Sequence, residues 1–137
     1  MSGAGVQGSC LCGEVRYEIN GPLSGIYYCH CSRCRKVTGA AHATNMLLQP
    51  DQIRWLAGEA LIGRYAHAGA ERFASAFCTR CGSNLPWLTQ TGSHLVVPVG
   101  SLDEDPGQAP LRNVWWGSRA PWYVSANELE TFEQRPG

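Results

Sequence analysis

Hydrophobic and polar positions alternate over short runs through much of the chain, the period of a half-buried β-strand. Residues 14–19 read EVRYEI, which puts Val15, Tyr17 and Ile19 on one side. Ile26-Tyr27-Tyr28 leads into Cys29, and 72–77 leads into Cys78. Further strand-like runs lie at 53–56, 61–65, 95–99 and Val114-Trp115-Trp116. Ala57-Gly58-Glu59 predicts a hairpin turn between two of them, and Pro98 predicts an edge or a bulge. Helical spacing is scarce. Ser32 is placed to cap a short turn through Cys34 to Val37, stopped by Gly39. Leu129 and Phe132 predict a short C-terminal helix within 125–133, and 103–110 reads as an exposed loop. The pattern therefore predicts a mostly-β fold of short antiparallel strands with one or two short helical turns. It places a single domain over 8–132, between a flexible N-terminus at 1–7 and a C-terminal tail at 133–137.

Composition narrows the function. A chain of 137 residues is one domain by default, and 16 Gly with 8 Pro make it rich in turns. Eleven basic and eleven acidic side chains give a net charge of zero with no block of like charge, which argues against nucleic acid or an anionic membrane as main partner. The start, MSGAGVQG, has neither a basic cluster nor an apolar run, and no stretch is long enough to span a bilayer. The expected location is cytoplasmic, where clustered thiols signify metal or redox chemistry rather than disulfides.

Seven cysteines then dominate the chemistry: Cys10 and Cys12; Cys29, Cys31 and Cys34; Cys78 and Cys81. Gly13 follows Cys12 and Gly82 follows Cys81, and a glycine after the second ligand relieves the tight turn around a metal. Cys34 is followed by Arg35 instead. Cys10, Cys12, Cys78 and Cys81 thus read as two halves of one closed tetrahedral zinc site, stapling segments about 70 residues apart. Cys29, Cys31 and Cys34 remain as three ligands for a second zinc with an open position, or for a second structural site with a fourth ligand from elsewhere. Arg33, Arg35 and Lys36 flank this trio and are expected to favour thiolate and to attract an anionic thiol. His30 is expected to point away from the ligands, while His42, just past the turn, is a candidate acid or base. Trp87, Trp115, Trp116, Trp122 and Tyr123 are expected mainly to pack the core, with Trp115 and Trp116 on opposite faces of a strand.

The ordered motifs GSCLCGEVRY (8–17), CHCSRCRKVTGA (29–40) and FCTRCGS (77–83), followed by GSLD (100–103) and SRAPW (118–122), resemble the glutathione-dependent formaldehyde-activating enzyme family, which includes centromere protein V. The resemblance runs from Gly8 to about Phe132. It implies a zinc-stapled complex β-sandwich with two zinc ions, one on the four-cysteine set and one on the trio. It also implies carbon–sulfur lyase chemistry or its reverse, the joining of a glutathione-like thiol to a small aldehyde. A non-enzymatic zinc interaction module and a thiol redox sensor are the alternatives. A homo-oligomer is compatible with either.

Overall fold

The computed structural model describes residues 5–136, so residues 1–4 of the expected leader lie outside the described part. Among the described residues, eleven short strands form three sheets, accompanied by one α-helix. The first sheet has the order β1-β2-β5, from β1 (Val6–Ser9), β2 (Arg16–Ile19) and β5 (Ile53–Ala57). The second has the order β11-β3-β4-β10-β9, from β3 (Ile26–Cys29), β4 (Ala43–Leu48), β9 (Trp87–Leu88), β10 (Leu95–Pro98) and β11 (Pro110–Val114). The third has the order β6-β7-β8, from β6 (Ile62–Ala66), β7 (Ala74–Cys78) and β8 (Asn84–Leu85). Every pairing is antiparallel except that of β11 with β3, which is parallel. The mostly-β expectation holds.

The core is built from alternate residues of these strands, as strand periodicity requires. Val15, Tyr17 and Ile19 from the region of β2 meet Ile26, Met46, Leu48, Leu95 and Val97 from one face of the five-stranded sheet, with Leu85 and Cys78 from the third. The Tyr17 ring meets Trp55 edge to face at 5.7 Å, and its hydroxyl bonds to Ser101, so the one polar atom of a fully buried ring is satisfied.

Several local expectations change. β1 begins at Val6, inside the stretch read as a flexible leader, because its backbone pairs with β2 along Val6↔Ile19 to Ser9↔Arg16. β5 and β6 do not form a hairpin: β5 pairs with β2 and β6 with β7. Gly58 makes the crossing between sheets, at φ 73° and so close to the Glu14 carbonyl that no Cβ fits. No α-helix forms over 125–133. Ser125 and Glu128 close a capping box, but only a 3-10 turn, Ala126–Glu128, follows. Leu129 and Phe132 stay exposed, and a helix of that length with no buried face does not propagate. Trp115 and Trp116 leave the strand as well: Trp115 adopts the left-handed region at φ 56° and Trp116–Ser118 is a 3-10 turn. Trp115, Trp116 and Trp122 are exposed rather than packed in the core. Pro98 does sit where its missing N–H is harmless, since β9 pairs only with Leu95 and Val96.

Candidate metal centres and the cavity beside them

Cys10 and Cys12 lie on the turn between β1 and β2, and Cys78 and Cys81 on the turn after β7. Their four sulfurs all fall within 4.8 Å of one another. Two of the separations are 3.5 Å, Cys10 to Cys12, and 3.9 Å, Cys12 to Cys78. Tetrahedral thiolate coordination at about 2.3 Å places sulfurs about 3.8 Å apart, so the donor set fits a single tetrahedral ion. Each turn is closed by the glycine that the sequence singles out. Gly13 N–H donates to the Cys10 carbonyl at 3.0 Å and Gly82 N–H to the Cys78 carbonyl at 2.7 Å. Their φ angles are 80° and 78°, so both positions need the left-handed region. The Leu11 N–H donates to Ser83 Oγ at 2.9 Å and ties one turn to the other. Hydrogen bonds from Ser83 lower the Cys81 thiol to about 5, which favours the thiolate. Cys10 and Cys78 belong to the core, so the cluster is welded to it.

The second cluster comes from one continuous stretch. Cys29 ends β3, Cys31 is the N-cap of α1 (Ser32–Thr38), and Cys34 is the buried residue of that helix. Their sulfurs also lie within 4.8 Å of one another. The cap is Cys31 rather than Ser32: its sulfur accepts from the Cys34 N–H at 3.3 Å. Gly39 stops the helix as expected, in the left-handed region at φ 66°. Contacts with Cys29 and Cys34, then the helix N–H groups of Cys34 and Arg33, hold the Cys31 thiol far below its usual range. The same sulfur contacts push Cys34 up. These opposed shifts follow from the crowding of three sulfurs, which a bound metal would relieve by taking them as thiolates.

The trio opens into a cavity of about 1110 Å³. Its floor is the second face of the five-stranded sheet, opposite the core. Register gives that floor three rows. Val114, Cys29 and Ala43 stand side by side; then come Arg112, Tyr27 and Asn45; then Leu47, Val96 and Trp87. Apart from Ala43, all of these line the cavity, together with Cys31, Cys34, Phe73 and Trp115. Burial, reinforced by the nearby cysteines, pushes the Tyr27 phenol up to about 12, so it stands protonated at neutral pH as a hydrogen-bond donor.

The cations around this cavity differ from those expected. Arg33 lines it, but Arg35 and Lys36 do not. Arg35 stands about 200° round α1 from Arg33, and Lys36 lies in its last turn, one turn further from the trio. The Arg35 Nε is buried with no hydrogen-bond partner among the described residues. Arg72 and Arg112 take their place, opposed by one carboxylate, Glu71. Sequence proximity hid both, since Arg112 reaches the trio only through the parallel pairing of β11 with β3. His42 does not line this cavity. It stacks on Tyr28 at 3.9 Å and faces a separate space of about 220 Å³ shared with Cys34, and burial lowers its pKa, favouring the neutral ring. His30 turns away from the trio. It is fully buried, with Nε2 2.9 Å from Asn113 Oδ1 and its ring edge-on to Trp116 and Tyr123.

Among the described residues, no helix is long and apolar enough to cross a membrane. A crystal structure of a Rhodobacter sphaeroides protein superposes with a TM-score of 0.60 at 22% identity, over 76% of this chain and 97% of that one, which supports the fold. A protein of Halomonas elongata with the provisional name glutathione-dependent formaldehyde-activating enzyme is 30% identical over 94% of this chain and 83% of its own length. The family model described as glutathione-dependent formaldehyde-activating enzyme matches residues 5–118, a span that holds both cysteine clusters and the cavity floor. The chain belongs to the glutathione-dependent formaldehyde-activating enzyme family.

Proposed function

We propose that the protein holds two zinc ions, a structural one on Cys10, Cys12, Cys78 and Cys81 and a reactive one on Cys29, Cys31 and Cys34, and that it joins a thiol to an aldehyde or reverses that addition. The observation that carries this reading is the asymmetry of surroundings: three sulfurs within 4.8 Å of one another face a large cavity rimmed by Arg33, Arg72 and Arg112. Zinc bound by three cysteines keeps a fourth position and lowers the pKa of a thiol that occupies it. The overall change is balanced without an oxidant. A carbon–sulfur bond forms as the carbonyl π bond opens, and the oxygen takes up the proton that the thiol gives up. Cys31, whose sulfur accepts from the Cys34 N–H, is the member of the set that the helix start favours as thiolate. Arg112, Arg33 and Arg72 attract the carboxylates of an anionic thiol such as glutathione. Tyr27 offers a hydroxyl, and Phe73 with Trp87 walls the site against water; their rings meet at 5.4 Å. The working compartment is a reducing one such as the cytoplasm.

The test is turnover of thiol plus aldehyde, and of the preformed adduct, by zinc-loaded protein and by Cys31→Ser. Equal rates rule the mechanism out. Metal analysis that finds a fourth protein ligand on the trio, unchanged by added thiol, favours instead the interaction-module reading.

A further inference from the structure

The cavity floor carries more chemistry than a small aldehyde and a thiol group need. Its three rows are separated by two residues along the strands, so the row of Arg112, Tyr27 and Asn45 lies about 7 Å from the row of Cys29, and Leu47, Val96 and Trp87 lie about 14 Å away. The far row is wholly apolar. Leu47 leaves 41% of its surface open although it lies inside a concavity, and Phe73 extends the patch from the side. Met46, Leu48, Leu95 and Val97 already fill the opposite face of the same strands, and of this row only Trp87 also packs against the core. Charge on this floor is confined to the middle row, at Arg112, with Arg33, Arg72 and Glu71 on the walls.

These rows order the groups of a ligand. Sulfur belongs at the first, an anion at the second and an apolar chain at the third. We propose that the cavity takes an anionic thiol with an apolar tail, of the N-acylcysteine class. Its carboxylate meets Arg112, and its acyl chain lies over Leu47, Val96 and Trp87. The assignment of sulfur to the trio rests on the function proposed above; the tail site does not. A tripeptide thiol puts a charged, hydrated end where the acyl chain would lie, against Leu47, Val96 and Trp87, and can pair it only by reaching aside to Arg72 or Glu71 on the wall. An eight-carbon acyl chain extends about 14 Å from the thiol and spans the three rows.

Calorimetric titration of the zinc-loaded protein with N-acetylcysteine, N-octanoylcysteine and glutathione tests the proposal without any turnover. Each methylene buried is worth roughly fourfold in affinity, so the octanoyl compound is expected to bind at least about thirtyfold more tightly than the acetyl one. Leu47→Asn, at a half-open position, is expected to remove about tenfold of that advantage and to leave N-acetylcysteine within about twofold. The proposal is overturned if glutathione binds as tightly as N-octanoylcysteine. It is overturned too if Leu47→Asn weakens both acyl compounds equally or neither. A native dimer that Leu47→Asn dissociates, with no change in the ratio of affinities, assigns the row to a second copy and overturns it as well. Tail-selective binding without thiol–aldehyde turnover sinks the reaction and keeps this site; turnover without tail selectivity does the reverse.

Discussion

The two cysteine clusters use the same donor atom and differ in how the backbone delivers it. Cys10 and Cys12 come from one turn, and Cys78 and Cys81 from another that faces it, each closed by a glycine at positive φ. Two opposed turns bring four sulfurs together from both sides, enough for a tetrahedral set. Cys29, Cys31 and Cys34 come from a single strand-to-helix junction, which approaches from one side only. The other side is the sheet face that carries Tyr27, Arg112 and Val96. The two clusters thus differ in the number of chain segments that converge on them. The four-cysteine cluster links segments far apart in sequence and is anchored in the core through Cys10 and Cys78. The three-cysteine cluster links residues within a single local stretch and sits at the head of a cavity.

The strongest way to break this contrast is to remove one ligand from each side. Structural thiolate zinc contributes on the order of 10 kcal/mol, comparable with the whole stability of a domain. Cys78 is fully buried among core residues, so Cys78→Ser is expected to leave the protein unfolded at room temperature. Far-ultraviolet circular dichroism with metal analysis checks this. Cys31→Ser should lose one metal equivalent and at least a hundredfold in turnover while the fold survives. Its melting temperature should fall by roughly 5 °C, as for a local loss of about 1 kcal/mol in a domain of this size. If the two substitutions lower the melting temperature equally, the division into a stapling site and a working site is wrong.

A finer probe is the corner of the closed site. Gly82 has φ 78° and open space where a Cβ would point, so Gly82→Ala adds backbone strain and no clash. The expected cost is about 1 kcal/mol. Faster removal of one metal equivalent by a chelator should accompany it, read with a colorimetric zinc indicator, with the other equivalent leaving at the wild-type rate. Acceleration of both would show that the clusters are not independent.

The parts of this contrast differed in how plainly the sequence announced them. The cysteine spacing and the glycines Gly13 and Gly82 pointed to the grouping of sulfurs, because turns are local and their chemistry is written in adjacent residues. β2, β3, β7 and β10 were legible for a related reason: one face of each is core. β4 was not. Its run ATNMLL also has a core face, at Met46 and Leu48, but it shows neither the clean alternation of β2 nor the β-branched run of β10. Gly58 read as a hairpin because a tight turn looks the same whether the chain returns to its neighbour or crosses to another sheet. The distal tryptophans read as core because ring size says nothing about where an irregular segment lies. The cationic rim was misplaced because Arg112 and Arg72 are distant in sequence from the trio, whereas Arg35 and Lys36 are adjacent to it and point elsewhere.

That last displacement yields the smallest effect expected and a discriminating one. If anionic substrate is held by the cavity rather than by charge near the cysteines in sequence, Arg112→Met and Lys36→Met must differ. Arg112 stands in register with Tyr27 on the floor, while Lys36 lies on the last turn of α1 and does not line the cavity. An exposed charge pair is worth about 1 kcal/mol at most, about fivefold in an equilibrium constant. Arg112→Met should therefore raise KM for an anionic thiol by about that factor, leave kcat within about twofold, and flatten the dependence of KM on salt. Lys36→Met should leave KM within about twofold, since a solvated charge outside the cavity is screened. Steady-state kinetics at two ionic strengths separates the two. Equal shifts would mean that the trio feels only the summed charge of its neighbourhood, and the register of β11 on β3 would then have no part in recognition.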